Sequence, residues 1–189
     1  MREKILNIAI EEFAKKGYFG ASTNVISKKA NVSKGALFYH FKSKEGLYIE
    51  CFKSFIQLFE LEFLKFYNEN DNLDFFTFLL KWSQRKVEMT NEMKYVLDFF
   101  ETIKNIPKNI EEKIQDILSK NYEKYIPFLW EKFEKLNLRK ELDKKFAFSM
   151  VLDFFETFSK RYYKTTIEPK KIFLDFKNVM EIIKYGILE

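Results

Sequence analysis

Five glycines, three prolines, one histidine and one cysteine in 189 residues set the first limits on this chain. The glycines stand at 17, 20, 35, 46 and 186, so four of the five fall in the first 46 residues. Neither a G-x-G-x-x-G nor a G-x-x-x-x-G-K-[ST] phosphate loop can be built from those positions. With only His40 and Cys51, a Cys/His zinc cluster, a disulfide framework and an H-E-x-x-H site are all excluded. A carboxylate di-iron bundle needs two E-x-x-H motifs and so a second histidine. No metal and no cofactor are expected. No catalytic residues are expected either, since the sole His and the sole Cys fall in separate helical segments and form no nucleophile–base pair. Apolar runs are short, four to six residues at most, against the roughly 20 that cross a membrane. The start, Met1-Arg2-Glu3-Lys4, leads into an amphipathic segment and lacks the apolar stretch of a signal peptide. These features predict a cytoplasmic protein without membrane contact.

What the chain does contain is the material of a soluble core: 47% hydrophobic and 32% charged residues, on a length that suits one domain or one large and one small unit. The net charge of +5 is uneven. Residues 1–50 hold nine Lys/Arg against five acids, whereas the remainder holds 24 against 23. A basic front on a nearly neutral body points to an anionic partner at one end.

Apolar spacing is helical almost throughout, with no long period-2 alternation. A first helix is predicted over about 2–16, with Ile5, Ile8, Ala9 and Phe13 on one stripe and Gly17 ending it. Short helices follow at 24–30, after Ser22-Thr23, and at 34–40, capped by Ser33, with Asn31-Val32 as the tight turn between them. A long fourth helix starts at Ser43 and carries Leu47, Cys51, Phe55, Leu58 and Phe66, about 35 Å of helix. The polar run 68–72 ends it. Further helices are predicted at 73–89, at 92–105 after a break at Thr90-Asn91, and from Pro107 to about Phe133 with a kink at Pro127. After Asn137 come a helix at 140–164, a turn at Thr165-Thr166 and Pro169, and a last helix through Ile187. The fold class is all-α, with about nine helices.

Two short helices joined by a tight turn and preceded by a longer amphipathic one make a helix-turn-helix unit. Ile26, Ala30, Val32, Leu37 and Phe41 fill its interior. The second short helix then presents Lys34, Gly35, Ala36, Phe38, Tyr39 and His40 to the outside. Such a helix fits the major groove of DNA, where small residues let the backbone approach bases. Ser33, Lys34, Tyr39, His40 and Lys44 are suited to phosphate contacts. The run from Ala21 to Leu47, ASTNVISKKANVSKGALFYHFKSKEGL, together with Glu11-Glu12-Phe13 and Gly17-Tyr18-Phe19-Gly20, resembles the N-terminal domain of TetR-family transcriptional regulators. The resemblance covers about residues 1–50. It implies a homodimer that places one recognition helix per subunit in successive major grooves of a palindromic operator in double-stranded DNA. Carried over by position, Lys34, Gly35, Ala36 and Phe38 would face bases, while Thr23, Asn24, Tyr39, His40 and Lys44 would hold the backbone. Phe38 stands where the family often has Tyr, and Ser27 replaces the second residue of an I-A pair.

Beyond residue 50 lie 19 of the 23 phenylalanines and both tryptophans. A division is expected between a DNA-binding domain at 1–46 and a regulatory and dimerisation domain at 47–189. The segment 146–158 is apolar nearly all round, as a helix buried on two sides would be. The resemblance pairs the last two helices across a dimer interface, for which Met150, Phe154, Phe158, Phe173, Phe176 and Met180 are the candidates. A pocket for a bulky apolar or aromatic inducer could be lined by Phe59, Phe63, Trp82, Phe99, Phe100, Tyr122, Tyr125, Phe128 and Trp130. Aromatic stripes at helical spacing are more often ordinary core, and these residues read more readily that way. The leading expectation is a ligand-responsive dimeric repressor. Two alternatives stand beside it: a similar DNA-binding dimer without inducer, serving chromosome organisation or cell division, and a helical carrier of a lipophilic molecule.

Overall fold

The computed structural model describes residues 1–162 and 169–189. Among these the chain forms nine α-helices and no named strand: α1 (Arg2–Gly20), α2 (Thr23–Ala30), α3 (Lys34–Phe41), α4 (Lys44–Glu69), α5 (Phe75–Glu92), α6 (Val96–Thr102), α7 (Lys108–Phe133), α8 (Lys144–Tyr162) and α9 (Pro169–Ile187). A short 3-10 turn, Ile103–Asn105, follows α6. The all-α expectation is met. The predicted turn at Thr165-Thr166 and the predicted end of the eighth helix at 164 lie outside the described residues.

Local chemistry accounts for the first four helix boundaries. Gly17 takes φ +68°, so α1 proper ends there and a last turn, Tyr18–Gly20, continues beyond the break. Asn31 closes α2 in the left-handed region at φ 57°, which Asn tolerates. Ser33 caps α3 by accepting the Ala36 amide at 3.0 Å. Ser43 caps α4 in the same way through the Gly46 amide, 2.9 Å.

Three boundaries fall elsewhere than predicted. Thr90 and Asn91 belong to α5, and the break comes at Tyr95, whose φ of 68° stops the helix. The fifth helix begins at Phe75, where Asp74 accepts the amides of Phe76 and Thr77 at 3.0 and 3.1 Å. The eighth begins at Lys144, with Asp143 accepting the Phe146 amide at 2.7 Å. The residues before it are drawn out of helix: Leu138 bridges Leu188, and the Arg139 side chain donates to the carbonyls of Tyr185 and Leu188. Backbone of α7 continues helical through Pro127, which has no N–H for the Glu123 carbonyl.

Packing divides the chain into two compact units. The first holds Met1–Glu62 and Met89–Glu123; the second holds Phe63–Glu88 and Lys124–Glu189. In the first unit the core runs from α1, through Ile5, Ala9 and Phe13, to Ile26 and Leu37 of the short helices and on to Phe99 of α6 and Ile110 and Ile114 of α7. In the second, Phe75, Phe133 and Phe148 meet at centroid distances of 5.0–6.4 Å. Phe63 there is ringed by Tyr67, Phe78, Trp82, Tyr125 and Phe128.

Candidate nucleic-acid interface

The three N-terminal helices hold α3 on a dry base. Leu37 and Phe41 are buried together with Ile26 and Ala30, while Val32 is half-buried in the turn. Burial of this one stripe turns the rest of α3 outward: Lys34, Gly35 and Tyr39 are exposed, and Ala36, Phe38 and His40 are half-buried. Of the remaining candidates, Ser33 and Asn24 are exposed, and Thr23 and Lys44 are half-buried. All ten candidate DNA contacts therefore sit in one compact unit, on α2, α3, the turn between them and the first residue of α4.

Several of these groups are already engaged. The Ser33 oxygen holds the first turn of α3. Lys44 donates to the Phe19 carbonyl at 3.3 Å and lies 5.0 Å from the Tyr18 ring centroid, tying the start of α4 to the end of α1. Partial burial lowers its pKa from the ordinary lysine value. An ammonium has three N–H groups, so donors remain for a phosphate. Lys34 and Lys42 lie 5.9 and 5.6 Å from the ring centroids of Phe38 and Tyr39, and so outline an aromatic, cationic face.

Sequence reasoning passed over two residues that position this face. Glu12 is buried in α1, with 6% of its surface exposed. It accepts the Ser22 amide at 3.4 Å and pairs with Lys29 at 3.6 Å, so it grips α2 at both ends. A lone acid on an otherwise apolar stripe was the available signal. Gly46 is the second. A methyl group there would stand 2.1 Å from the Phe41 carbonyl oxygen. That carbonyl also accepts the Ser43 amide at 2.7 Å across Lys42, whose φ is 65° and ψ −46°. The α3–α4 joint is thus a tight, strained turn that must shift to admit a side chain at 46.

The same unit carries this geometry into the body. Tyr48 of α4 meets Phe13 of α1 edge-on at 4.9 Å and stacks on Phe99 of α6 at 4.9 Å. Its hydroxyl bonds Thr102 at 2.7 Å. Glu45, beside the helix-turn-helix unit, accepts from Lys113 at 2.5 Å and Asn109 at 3.0 Å on α7, and the Lys113 bond holds its carboxyl below the ordinary glutamate value. Cys51 is buried and its pKa is pushed far up, chiefly by desolvation, which leaves an inert thiol.

The nine pocket candidates do not share one unit. Phe59, Phe99, Phe100 and Tyr122 belong to the first; Phe63, Trp82, Tyr125, Phe128 and Trp130 belong to the second. In the second unit Phe63, Trp82, Tyr125 and Phe128 sit in the ring cluster described above, and Trp130 stands 5.1 Å from Phe148. Of the dimer candidates, Phe158 and Phe176 pack on each other at 5.4 Å between α8 and α9, Met180 is buried and Met150 is exposed. Phe154 and Phe173 are half-buried.

The arrangement defines a helix-turn-helix DNA-binding protein of the kind that regulates transcription, and known proteins agree. The family model for bacterial regulatory proteins of the tetR family matches residues 5–51. The biofilm operon icaADBC HTH-type negative transcriptional regulator IcaR of Staphylococcus epidermidis is 27% identical over 199 aligned positions, covering 100% of this chain and 97% of that protein. Its Staphylococcus aureus counterpart is 30% identical over 134 positions, covering 66% of this chain and 69% of that protein. The solved structure of the transcriptional regulator FadR from Bacillus subtilis, in complex with stearoyl-CoA, superposes with a TM-score of 0.71 at 20% identity, covering 99% and 100% of the two chains. The chain belongs to the TetR family of DNA-binding transcriptional regulators. No helix among the described residues is long and apolar enough to cross a membrane.

Proposed function

We propose that this protein is a cytoplasmic homodimeric repressor that binds a palindromic operator and is released from it by an apolar small molecule. The observation that carries the reading is the outward face of α3, a short helix seated on buried Leu37 and Phe41 with Lys34, Gly35 and Tyr39 exposed. Lys34, Gly35, Ala36 and Phe38 meet base edges in the major groove, and Thr23, Asn24, Ser33, Tyr39, His40 and Lys44 hold the flanking phosphates. Repression is supported by the likeness to IcaR, which is described as a negative regulator.

By role, residues 1–46 read DNA and residues 47–189 regulate and dimerise. For the dimer, α8 and α9 leave Phe146, Met150, Leu174, Ile182 and Tyr185 exposed at 45–76%, an apolar surface that a second copy would cover. For the effector, FadR offers the precedent of an acyl-CoA bound to a similar fold. Displacement of α6 or of the start of α7 acts on α1 and α4 through Phe99, Thr102 and Lys113, all within one compact unit. Such a shift would take the two recognition helices away from the roughly 34 Å spacing of successive major grooves.

Selection of bound duplexes from a random pool at two salt concentrations tests the reading. One palindrome with steeply salt-dependent binding is the expected result. No sequence above background overturns DNA reading, and a compound that raises thermal stability while leaving operator affinity unchanged overturns release.

A further inference from the structure

The side chains that most often discriminate base pairs by hydrogen bonds are Arg or Lys on guanine, Asn or Gln on adenine, and Asp or Glu accepting from cytosine. Of these the recognition helix has Lys34 alone, exposed at its first position with the ammonium 5.9 Å from the Phe38 ring centroid. Its eight residues are Lys-Gly-Ala-Leu-Phe-Tyr-His-Phe, and two of them, Leu37 and Phe41, are buried in the core. Asn24, the exposed amide at the start of α2, lies on the helix that crosses the backbone in this kind of unit. The Ser33 hydroxyl oxygen accepts the Ala36 amide.

Beyond Lys34, what the first turns of α3 offer is carbon. The Ala36 methyl and the Phe38 ring are half-buried, each held against the protein on one side and open on the other. Phe38 packs partly on the core of the unit. Around Gly35 nothing but the Ser33 oxygen, at 3.8 Å, comes near a side-chain position. Bare backbone there lets the helix sink toward the groove floor. In the major groove the only apolar group on any base pair is the C5-methyl of thymine.

We infer that α3 reads its operator chiefly through thymine methyl groups, seated against Ala36 and Phe38, with the Lys34 ammonium beside them. The inference rests on α3 being the DNA-reading helix proposed above. Each methyl removed from water is worth about a three- to fivefold change in affinity, less than a bidentate pair provides. Specificity is therefore spread over several thymines and completed by the deformability of the duplex between them.

The test replaces each thymine of the selected operator by deoxyuridine, which removes the methyl and leaves base pairing intact. The full-length protein and fluorescence anisotropy competition serve as the assay. A loss of about three- to fivefold is expected at one to three thymines per half-site, roughly the square of that when both half-sites are changed, and none elsewhere. In Phe38→Ala the penalty at one of those thymines disappears, and in Ala36→Gly the penalty at another. Because the substitution is made in the DNA, the scan needs no folded variant. Uniform neutrality in the uridine scan, with the palindrome still selected and tightly bound, overturns thymine reading while leaving operator recognition in place. A loss of tenfold or more from 7-deazaguanine or 7-deazaadenine, with uridine neutral, overturns it in favour of hydrogen-bonded readout. Enrichment of no duplex removes DNA reading and this inference with it.

Discussion

Replacing Lys132 by Met should destabilise the protein by about 2–3 kcal/mol, although Lys132 lies far from α3 in sequence. Only 3% of this lysine is exposed. Its ammonium donates to the carbonyls of Asn70, Asp71 and Leu73 at 3.1, 2.8 and 3.1 Å, closing the turn between α4 and α5. It also lies 5.1 and 4.9 Å from the ring centroids of Tyr67 and Phe78. Methionine keeps the length and the packing but donates nothing. Three carbonyls lose the ammonium at about 1 kcal/mol each, the low end because Asn70 still accepts the Leu73 amide at 3.3 Å and because Asp71 and Asn72 are exposed and water can reach the turn. The lost cation–π attraction adds about 1 kcal/mol. Relief of ammonium desolvation, which lowers the pKa of Lys132, returns roughly 1–2 kcal/mol. At this chain length a net loss of 2–3 kcal/mol lowers Tm by about 8 °C. Lys132→Arg should recover less than half of that, because a planar fork cannot point three donors at a cluster around one atom. Melting followed by far-UV circular dichroism at pH 7 measures both. A methionine variant that melts within about 1 °C of the wild type would show that water satisfies the three carbonyls equally well and refute the reasoning.

At the α3–α4 joint, Gly46→Ala should cost about 1–3 kcal/mol, since the new methyl must retreat by more than ~1 Å from the Phe41 carbonyl. Because that retreat re-aims α3, operator affinity should fall at least about tenfold while non-specific duplex binding persists; equal loss on both kinds of DNA would argue against a positioning role. Lys44→Ala should weaken binding to every duplex and reduce the salt slope by about one unit. A changed sequence preference with an unchanged slope would reassign this residue. Asp74 feels burial, which raises its pKa, but the Thr77 hydroxyl and the amides of Thr77 and Phe76 outweigh it and leave a net lowering. Its stabilising effect is thus present above its unfolded-state pKa and lost as pH falls through the lower folded value. Asp74→Ala should cost about 1 kcal/mol at pH 7, with the gap to wild type closing below about pH 4; a gap independent of pH would disprove the cap's ionic character. Met150→Arg, on the exposed face of α8, should give a monomer in light scattering after size exclusion, and a dimer of unchanged mass would place the interface elsewhere.

The helix-turn-helix unit was legible in the chain because its signals are local. Gly17, Asn31, Ser33 and Ser43 each act on backbone within three residues of themselves, and the stripe of Ile26, Ala30, Leu37 and Phe41 needs only helical period to be read. All-helical class and helix number follow from the same periodicity. Contacts between distant segments leave no such trace. Lys132 looks like an ordinary surface charge until packing encloses it and hands it carbonyl partners about sixty positions away, and Glu12, though marked by its place on an apolar stripe, carries no sign of its partner ten positions on. The eighth helix starts at the Asp143 cap, and the segment just before it is tied at Leu138 and Arg139 to residues near 188, a pairing no local signal shows. The aromatic residues of the body form stripes on their own helices, and nothing in one helix says which neighbour each ring will meet. Packing alone distributes them between two compact units, since burial is a property of the assembled helices, whereas caps and periods belong to each segment by itself.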